Sequence, residues 1–175
     1  MKSHQVLISV ILCPFLAAML LLTSCTISYK FNGASIDYNT TKTISVKEFP
    51  NQALLVYPPL SQNFTEALKD IYTRQTKLKV VNEEGDLRVE GEIVGYDLTP
   101  LAAQADGYAS ETKLTMTVNV RFTNVNNEKE DFEQRFSAYQ TFPSTQMLDD
   151  VQDSLLEEII KEITESIFNK TVANW

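Results

Sequence analysis

Residues 113–124 constrain the fold of this chain more than any other segment, because apolar and polar side chains alternate along them without a break. The apolar positions are Leu114, Met116, Val118, Val120 and Phe122. Side chains of a strand point alternately to its two faces, so this segment predicts a strand with one buried and one polar face, as in an antiparallel sheet. A turn is predicted at residues 124–128, and residues 131–142 return as a second alternating strand. The inward positions of this second strand are Phe132, Phe136 and Ala138.

Two other segments have helical periodicity. The first ends near Gln75, and Ser61 is its predicted N-cap. Its apolar side chains recur at the spacing i, i+3, i+4, i+7 and i+8, at Phe64, Ala67, Leu68, Ile71 and Tyr72. After Pro143, either Ser144 or Thr145 is predicted to cap a second helix that reaches about Lys170. The inner stripe of this helix is predicted to be Leu148, Val151, Leu155, Ile159, Ile163 and Ile167.

Three more segments are predicted to be extended. They are a strand at residues 43–49, a short strand or extended link at residues 78–81, and a long strand at residues 87–98. The long strand contains Gly91 and Gly95, which indicates a bulge, a closely approaching backbone or a twisted edge strand. A loop is predicted at residues 100–110.

The order of these elements predicts an α+β fold with two layers, in which two helices pack on one face of a four-stranded mixed sheet. The first strand–helix–strand unit is expected to form a right-handed parallel crossover. The other sheet face is left uncovered, and it is either a binding surface or an ordinary solvated face. Its predicted side chains include Thr115, Thr117, Asn119, Arg121, Arg135 and Tyr139.

The N-terminus has the pattern of an export signal. Lys2 precedes an apolar run over residues 6–22, and Leu22-Thr23-Ser24-Cys25 follows directly. This ending resembles the bacterial lipobox, in which the chain is cut before the Cys and the thiol carries a diacylglycerol. The run is also just long enough to span a bilayer, so a membrane anchor is the alternative. We predict a lipoprotein signal peptide at 1–24, a lipidated tether at 25–41 that begins at Cys25, and a single domain at 42–175.

Composition excludes several classes of function. The chain has 15 Lys and Arg residues against 23 Asp and Glu residues, and its net charge of −8 argues against nucleic acid as a partner. The only His, His4, and one of the two Cys residues, Cys13, lie in the predicted signal peptide, and Cys25 is predicted to be lipidated. The mature chain therefore lacks the commonest general base, the thiol nucleophile and the usual zinc ligands. We predict a protein that is not an enzyme, with no catalytic residue, no cofactor and no metal.

Several blocks of sequence resemble one family, the lipopolysaccharide-transport protein E family of outer-membrane lipoproteins, in its Bacteroidetes form. The blocks are Phe49-Pro50-Asn51, residues 60–68, Gly85-Asp86-Leu87, residues 90–93, residues 114–122, residues 167–170 and residues 172–175. The resemblance implies a sheet with two helices on one face and a role without catalysis. It also implies a lipid-anchored position on the periplasmic side of the outer membrane. There the protein would plug a large β-barrel partner, lipopolysaccharide-transport protein D, and help it to assemble and to insert lipopolysaccharide into the outer leaflet.

Lipopolysaccharide is anionic, so a direct contact requires Lys or Arg side chains. The candidates for contact with the glycolipid or the partner are Arg121, Arg135, Lys77, Lys79 and Arg88, and each of them is also explained as a solvated surface residue. A second interpretation is a freestanding lipoprotein that binds a solute or glycan in a pocket lined by Tyr96, Tyr108 and Tyr139. A third is a hydrolase that uses Glu90 and Glu92, which share one face of the long strand.

Overall fold

A computed structural model of the protein describes residues 36–101 and 111–173. Five strands and two long helices follow one another in these residues. They are β1 (Thr43–Val46), α1 (Leu60–Gln75), β2 (Lys79–Val81), β3 (Leu87–Pro100), β4 (Glu111–Asn124), β5 (Phe132–Pro143) and α2 (Leu148–Phe168). The predicted signal peptide, the lipidated Cys25, most of the tether and Tyr108 lie outside the described residues, so the domain boundaries stay predictions.

The strands form one mixed sheet in the order β2-β1-β3-β4-β5. Strand β1 is parallel to β2 and to β3, whereas the pairs β3–β4 and β4–β5 are antiparallel. The predicted α+β fold, with two helices against a mixed sheet, is confirmed. The sheet has five strands rather than four, because Lys79–Val81 pairs with β1 as an edge strand instead of serving only as a link.

The core lies between the helices and the inner face of the sheet. All five apolar side chains predicted to point inward from β4 are at most 1% exposed. Phe49, just after β1, packs edge-to-face on Phe64 of α1 with ring centroids 5.1 Å apart. The buried Tyr72 hydroxyl lies 2.7 Å from the Thr171 hydroxyl, which joins the end of α1 to the turn after α2.

Strand β3 contains a bulge and lies in the middle of the sheet, so the twisted-edge alternative for its glycines is wrong. Ile93 pairs with Val118 and Gly95 pairs with Thr117, which leaves Val94 as the extra residue. The bulge reverses the alternation of β3, and for this reason Tyr96 joins Leu87, Val89 and Ile93 among the buried residues.

The predicted helix caps are wrong, because neither α1 nor α2 has a side-chain N-cap among the described residues. Helix α1 begins after Pro59, and the Ser61 hydroxyl donates to Glu48 instead. The Ser144 hydroxyl lies 3.0 Å from the Thr112 hydroxyl, in the turn that precedes α2. The inner stripe of α2 is as predicted in its second half. In its first half, the buried positions are Gln152 and Leu156, whereas the predicted Leu148, Val151 and Leu155 are only partly buried.

Candidate functional site

The outer face of the sheet carries polar side chains in rows that run across the strands. Glu90, Arg121 and Glu133 face one another on β3, β4 and β5, and Glu92, Asn119 and Arg135 form the next row. We call this group the outer polar patch; it consists of Lys47, Glu90, Glu92, Asn119, Arg121, Glu133 and Arg135. The patch lies on the uncovered face because the strict alternation of β4 turns its apolar side chains toward the helices.

Arg121 is held between two carboxylates. Its Nη1 lies 3.1 Å from Glu90 Oε1, and its Nη2 lies 3.4 Å from Glu133 Oε2. Lys47 Nζ lies 3.3 Å from the other oxygen of Glu90. The Lys47 hydrogen bond, followed by that of Arg121, lowers the pKa of Glu90. The hydrogen bond that Arg121 donates to Glu90 is the main cause that raises the pKa of Arg121.

Asn119 connects the two rows of the patch. Its amide nitrogen donates to Glu92 Oε1 at 3.0 Å and to Glu133 Oε1 at 2.9 Å. The Asn119 hydrogen bond and the charge of Arg121 lower the pKa of Glu133. Three cations and three carboxylates therefore balance within the patch. Apart from Arg135, which forms no salt bridge with a described residue, such a surface suits contacts with polar, uncharged partners better than the capture of a polyanion.

The five basic candidates do not converge. Arg121 and Arg135 share the outer face, and Arg88 of β3 points to the same side but pairs with Glu84 at 3.0 Å. Lys79 lies on the edge strand β2, and exposed Lys77 lies in the connection before it. Since neighbouring strands are about 4.8 Å apart, β2 and β5 are separated by about 19 Å across the sheet. Within residues 36–101 and 111–173, Lys77, Lys79 and Arg135 form no salt bridge.

Among the residues that the structure describes, those named for the two other interpretations are not arranged for those functions. Tyr96 is buried on the inner face, where its hydroxyl accepts from Gln152 at 2.5 Å. Tyr139 is exposed on the outer face, with Lys113 Nζ 5.3 Å from the ring centroid. The two tyrosines therefore line no common pocket. Glu90 and Glu92 share one face, but the lowered pKa of Glu90 is the opposite of what a general acid requires.

One surface feature had no counterpart among the predicted sites. The connection between β1 and α1, residues 51–57, carries Leu54 and Val56, which are 98% and 75% exposed. The available clue was the run of apolar residues at 53–56 inside a connection that ends in Pro58-Pro59. Which of these residues are exposed depends on the tertiary structure, because Ala53, Leu55 and Tyr57 pack against the core.

The described part of the chain contains neither a metal-binding cluster nor a membrane-spanning helix. No group of three His, Cys, Asp or Glu side chains there could hold a metal ion. None of the helices described is both long and apolar enough to cross a bilayer.

Comparison with known proteins gives one family and a shared fold. The LptE family, described as lipopolysaccharide-assembly, matches residues 41–171. No curated protein matches the chain significantly.

Solved structures with a similar fold come from several bacteria. An uncharacterized lipoprotein B from Nitrosomonas europaea is 16% identical with a TM-score of 0.50, over 73% of this chain and 79% of that one. The rare lipoprotein B from Shewanella oneidensis is 11% identical with a TM-score of 0.51, over 73% of this chain and 92% of that one. A hypothetical protein from Chlamydia trachomatis is 10% identical with a TM-score of 0.54, over 77% of this chain and 99% of that one.

Proposed function

The chain belongs to the LptE family of lipopolysaccharide-assembly proteins, and on this basis we propose that it is the plug of an outer-membrane β-barrel translocon. Membership gives it a role in lipopolysaccharide assembly, as an envelope lipoprotein and not as an enzyme. The proposal goes further in three respects. The protein is anchored through Cys25 to the periplasmic side of the outer membrane, its partner is lipopolysaccharide-transport protein D, and the domain fills the lumen of that barrel.

The balanced outer polar patch is the observation that carries this proposal. The lumen of a large outer-membrane barrel is polar and hydrated, so a plug must present a folded polar surface to it. In the patch, Arg121 is neutralised by Glu90 and Glu133, and Asn119 holds the adjacent carboxylates. Apart from Arg135, which forms no salt bridge with a described residue, the charged groups of this face are paired or hydrogen-bonded within the patch, so the face can contact lumen side chains by hydrogen bonds.

The dimensions of the domain also support a plug. Strand β3 has 14 residues. At about 3.3 Å per residue the sheet is about 46 Å long, which exceeds the apolar band of an outer-membrane barrel, about 25 Å tall. A domain of this length can occupy the whole depth of a lumen while a lipid on the tether holds it at one end.

Within this proposal, we infer that Arg135 is the most suitable of the basic candidates for a glycolipid phosphate. Arg121 is already engaged by two carboxylates and Arg88 by one, whereas Arg135 is exposed and forms no salt bridge with a described residue. Lys77 and Lys79 are also exposed, but they lie at the far edge of the sheet. Arg135 is thus a cation on the polar face that is free to pair with phosphate.

The test is to purify the tagged, full-length, lipidated protein from its own outer membrane in mild detergent and to identify what accompanies it by mass spectrometry. A large β-barrel in a near 1:1 ratio is the expected result. A matched control carries the same signal, Cys25 and tag on an unrelated soluble domain, and it should bring no barrel. Purification of the protein alone would contradict the plug and favour the solute-binding lipoprotein.

A further inference from the structure

Residues 51–57 form an exposed apolar loop between β1 and α1. Leu54 and Val56 point outward with 98% and 75% exposure, while Ala53, Leu55 and Tyr57 pack against the core. The loop therefore alternates like a strand, with its outward positions apolar instead of polar. Single exposed apolar residues are common on proteins, but two on one side of a short, anchored segment form a surface that a partner can cover.

The loop is rigidly attached to the domain. Asn51 forms a bridge with Ile93 of β3, and the Gln52 backbone N–H donates to the Ile93 carbonyl at 2.9 Å. The Asn51 side chain accepts from the Ala53 backbone N–H at 3.0 Å. At the other end the Tyr57 hydroxyl donates to Asp153 of α2. Because the loop is already ordered, a partner that binds it pays little for immobilising it.

The loop lies far from the end where the chain enters the domain. Residues of the entering segment, among them Ile36 and Asp37, line a depression together with Leu87, the first residue of β3. The loop runs beside Ile93, six residues further along β3, which corresponds to at least about 20 Å. The lipid is predicted at Cys25, on the segment that leads to Ile36. The loop therefore lies away from residue 36, where the described chain enters the domain.

The helix that holds one end of the loop is acidic in its first turns. The first three turns of α2, against which Tyr57 is fixed, contain five carboxylates and no Lys or Arg; they are Asp149, Asp150, Asp153, Glu157 and Glu158. Asp153 and Glu157 line a groove with Tyr57 and Asn63 at the base of the loop. The two carboxylates of this groove repel anionic groups, those of lipopolysaccharide included, and attract basic side chains.

We propose that the apolar loop, with Leu54 and Val56 as its anchors, docks onto a segment of the barrel partner that presents apolar side chains next to Lys or Arg. This inference rests on the proposed function and adds the surface that the two proteins share. The apolar pair supplies buried area at the centre of the contact, and the carboxylates of α2 select a basic rim on the partner.

The experiment is site-specific photocrosslinking in intact outer membranes, with a benzophenone amino acid at position 54 of the full-length protein. The expected product is an adduct with the barrel, and its crosslinked peptide should contain apolar residues beside Lys or Arg. The same probe at Val125, which is 52% exposed at the other end of the sheet, is the control and should give a different peptide or none. An adduct only with lipid, no adduct at position 54, or identical peptides from both positions would overturn the inference.

A double variant, Leu54→Ser with Val56→Ser, gives an independent readout. Both side chains are exposed, so the unfolding midpoint should not change, whereas affinity for the barrel should fall at least about tenfold. Val125→Ser is the matched control and should bind as the wild type does. If the wild type brings down the barrel and the double variant binds equally well, the inference about the loop fails while the proposed function stands. If the wild type brings down no barrel, the proposed function itself fails.

Discussion

Gly91 is the residue at which the sheet leaves least room. An added Cβ would lie 2.0 Å from the Asn119 carbonyl oxygen and 2.8 Å from the Phe49 ring. The backbone of β4 and a buried ring would both have to move to admit it. The sequence allowed a closely approaching backbone at this glycine, and the structure has one.

Gly91→Ala should destabilise the domain by about 3 kcal/mol or more, at the upper end of the usual cost of overpacking. Gly95→Ala is the matched control, because its nearest contact is a Thr117 side-chain carbon at 3.1 Å, and about 1 kcal/mol is expected there. Urea denaturation of the two variants and the wild type measures both values. Equal stability of Gly91→Ala and wild type would contradict the close approach.

Arg121 and Arg135 should respond differently to the same substitution. Arg135→Gln should weaken binding of purified lipopolysaccharide about tenfold, because it removes a charge-assisted contact with phosphate. Arg121→Gln should change that binding little, since its guanidinium is already paired with Glu90 and Glu133. Titration of each variant with fluorescent lipopolysaccharide compares them. A larger loss for Arg121→Gln would mean that its carboxylates do not neutralise it.

Asp86 makes stability depend on pH in the acid range. One of its oxygens, Oδ2, accepts from the Lys42 N–H at 2.8 Å, the Thr43 N–H at 2.9 Å and the Thr43 hydroxyl at 2.8 Å. These bonds, that of Lys42 first, lower its pKa below the ordinary value of 3.8. Because the folded pKa is the lower one, the stabilisation is complete above the ordinary pKa. It is lost as the pH falls through the folded pKa.

Asp86→Asn should lower the free energy of unfolding by about 1–2 kcal/mol at pH 7, since charged hydrogen bonds become neutral ones. It should also flatten the decline of stability below pH 4, which urea titrations at several pH values measure. Glu158→Gln, on the exposed face of α2, is the control and should leave the free energy of unfolding at pH 7 within about 0.5 kcal/mol of the wild type. An unchanged acid profile in Asp86→Asn would assign the effect to other carboxylates.

At the scale of elements, the hairpin of β4 and β5 could be predicted because the alternating pattern that specifies each strand lies within the strand itself. Each residue of β4 alternates with its neighbour, so the segment itself fixes which side chains are buried. The periodicity of α1 is equally local, and its buried Phe64, Leu68, Ile71 and Tyr72 are those of the predicted stripe.

Other features of these elements depend on contacts distant in sequence. Lys79–Val81 becomes a strand only through pairing with β1. The bulge at Val94 can be recognised only from the pairing of β3 with β4. In the first turns of α2, Gln152 occupies a buried position because Tyr96, which the bulge turns inward, offers it a hydrogen bond. No local pattern in α2 indicates this partner.

The Tyr96–Gln152 bond fastens α2 to the bulged part of β3 and can be tested by a double-mutant cycle. Tyr96→Phe should cost about 1–3 kcal/mol, because it leaves the buried Gln152 amide without its acceptor. Adding Gln152→Leu should recover much of this loss, since both polar groups are then absent. Thermal unfolding of the four proteins measures the coupling. If the losses of stability in Tyr96→Phe and Gln152→Leu simply add in the double variant, water accepts the hydrogen bond of the Gln152 amide in Tyr96→Phe.

At the scale of the whole molecule, the sequence predicted which face of the sheet is polar but not how its charges pair. The alternation of β4 and β5 turned Arg121 and Arg135 outward, as expected. The cross-strand register then decided that Glu90 and Glu133 flank Arg121 and that Asn119 separates Arg135 from Glu92. The basic candidates suggested a positively charged outer face, but carboxylates balance the cations of the outer polar patch. Part of the chain's excess of acidic residues lies on α2.

In the proposed arrangement, the lipid on Cys25 and the domain in the barrel lumen each retain the protein at the membrane independently of the other. A variant in which residues 1–25 are replaced by a cleavable secretory signal without the lipobox Cys should fold normally, with an unfolding midpoint within about 2 °C of the wild type. Without the barrel it should be found in the soluble periplasmic fraction, because the acyl chains that supply membrane affinity are gone. When the barrel is co-expressed, it should return to the membrane fraction, since the lumen contacts hold it independently of lipid. Release into the soluble fraction despite abundant barrel would show that the lipid alone retains the protein, and the domain would not be a plug.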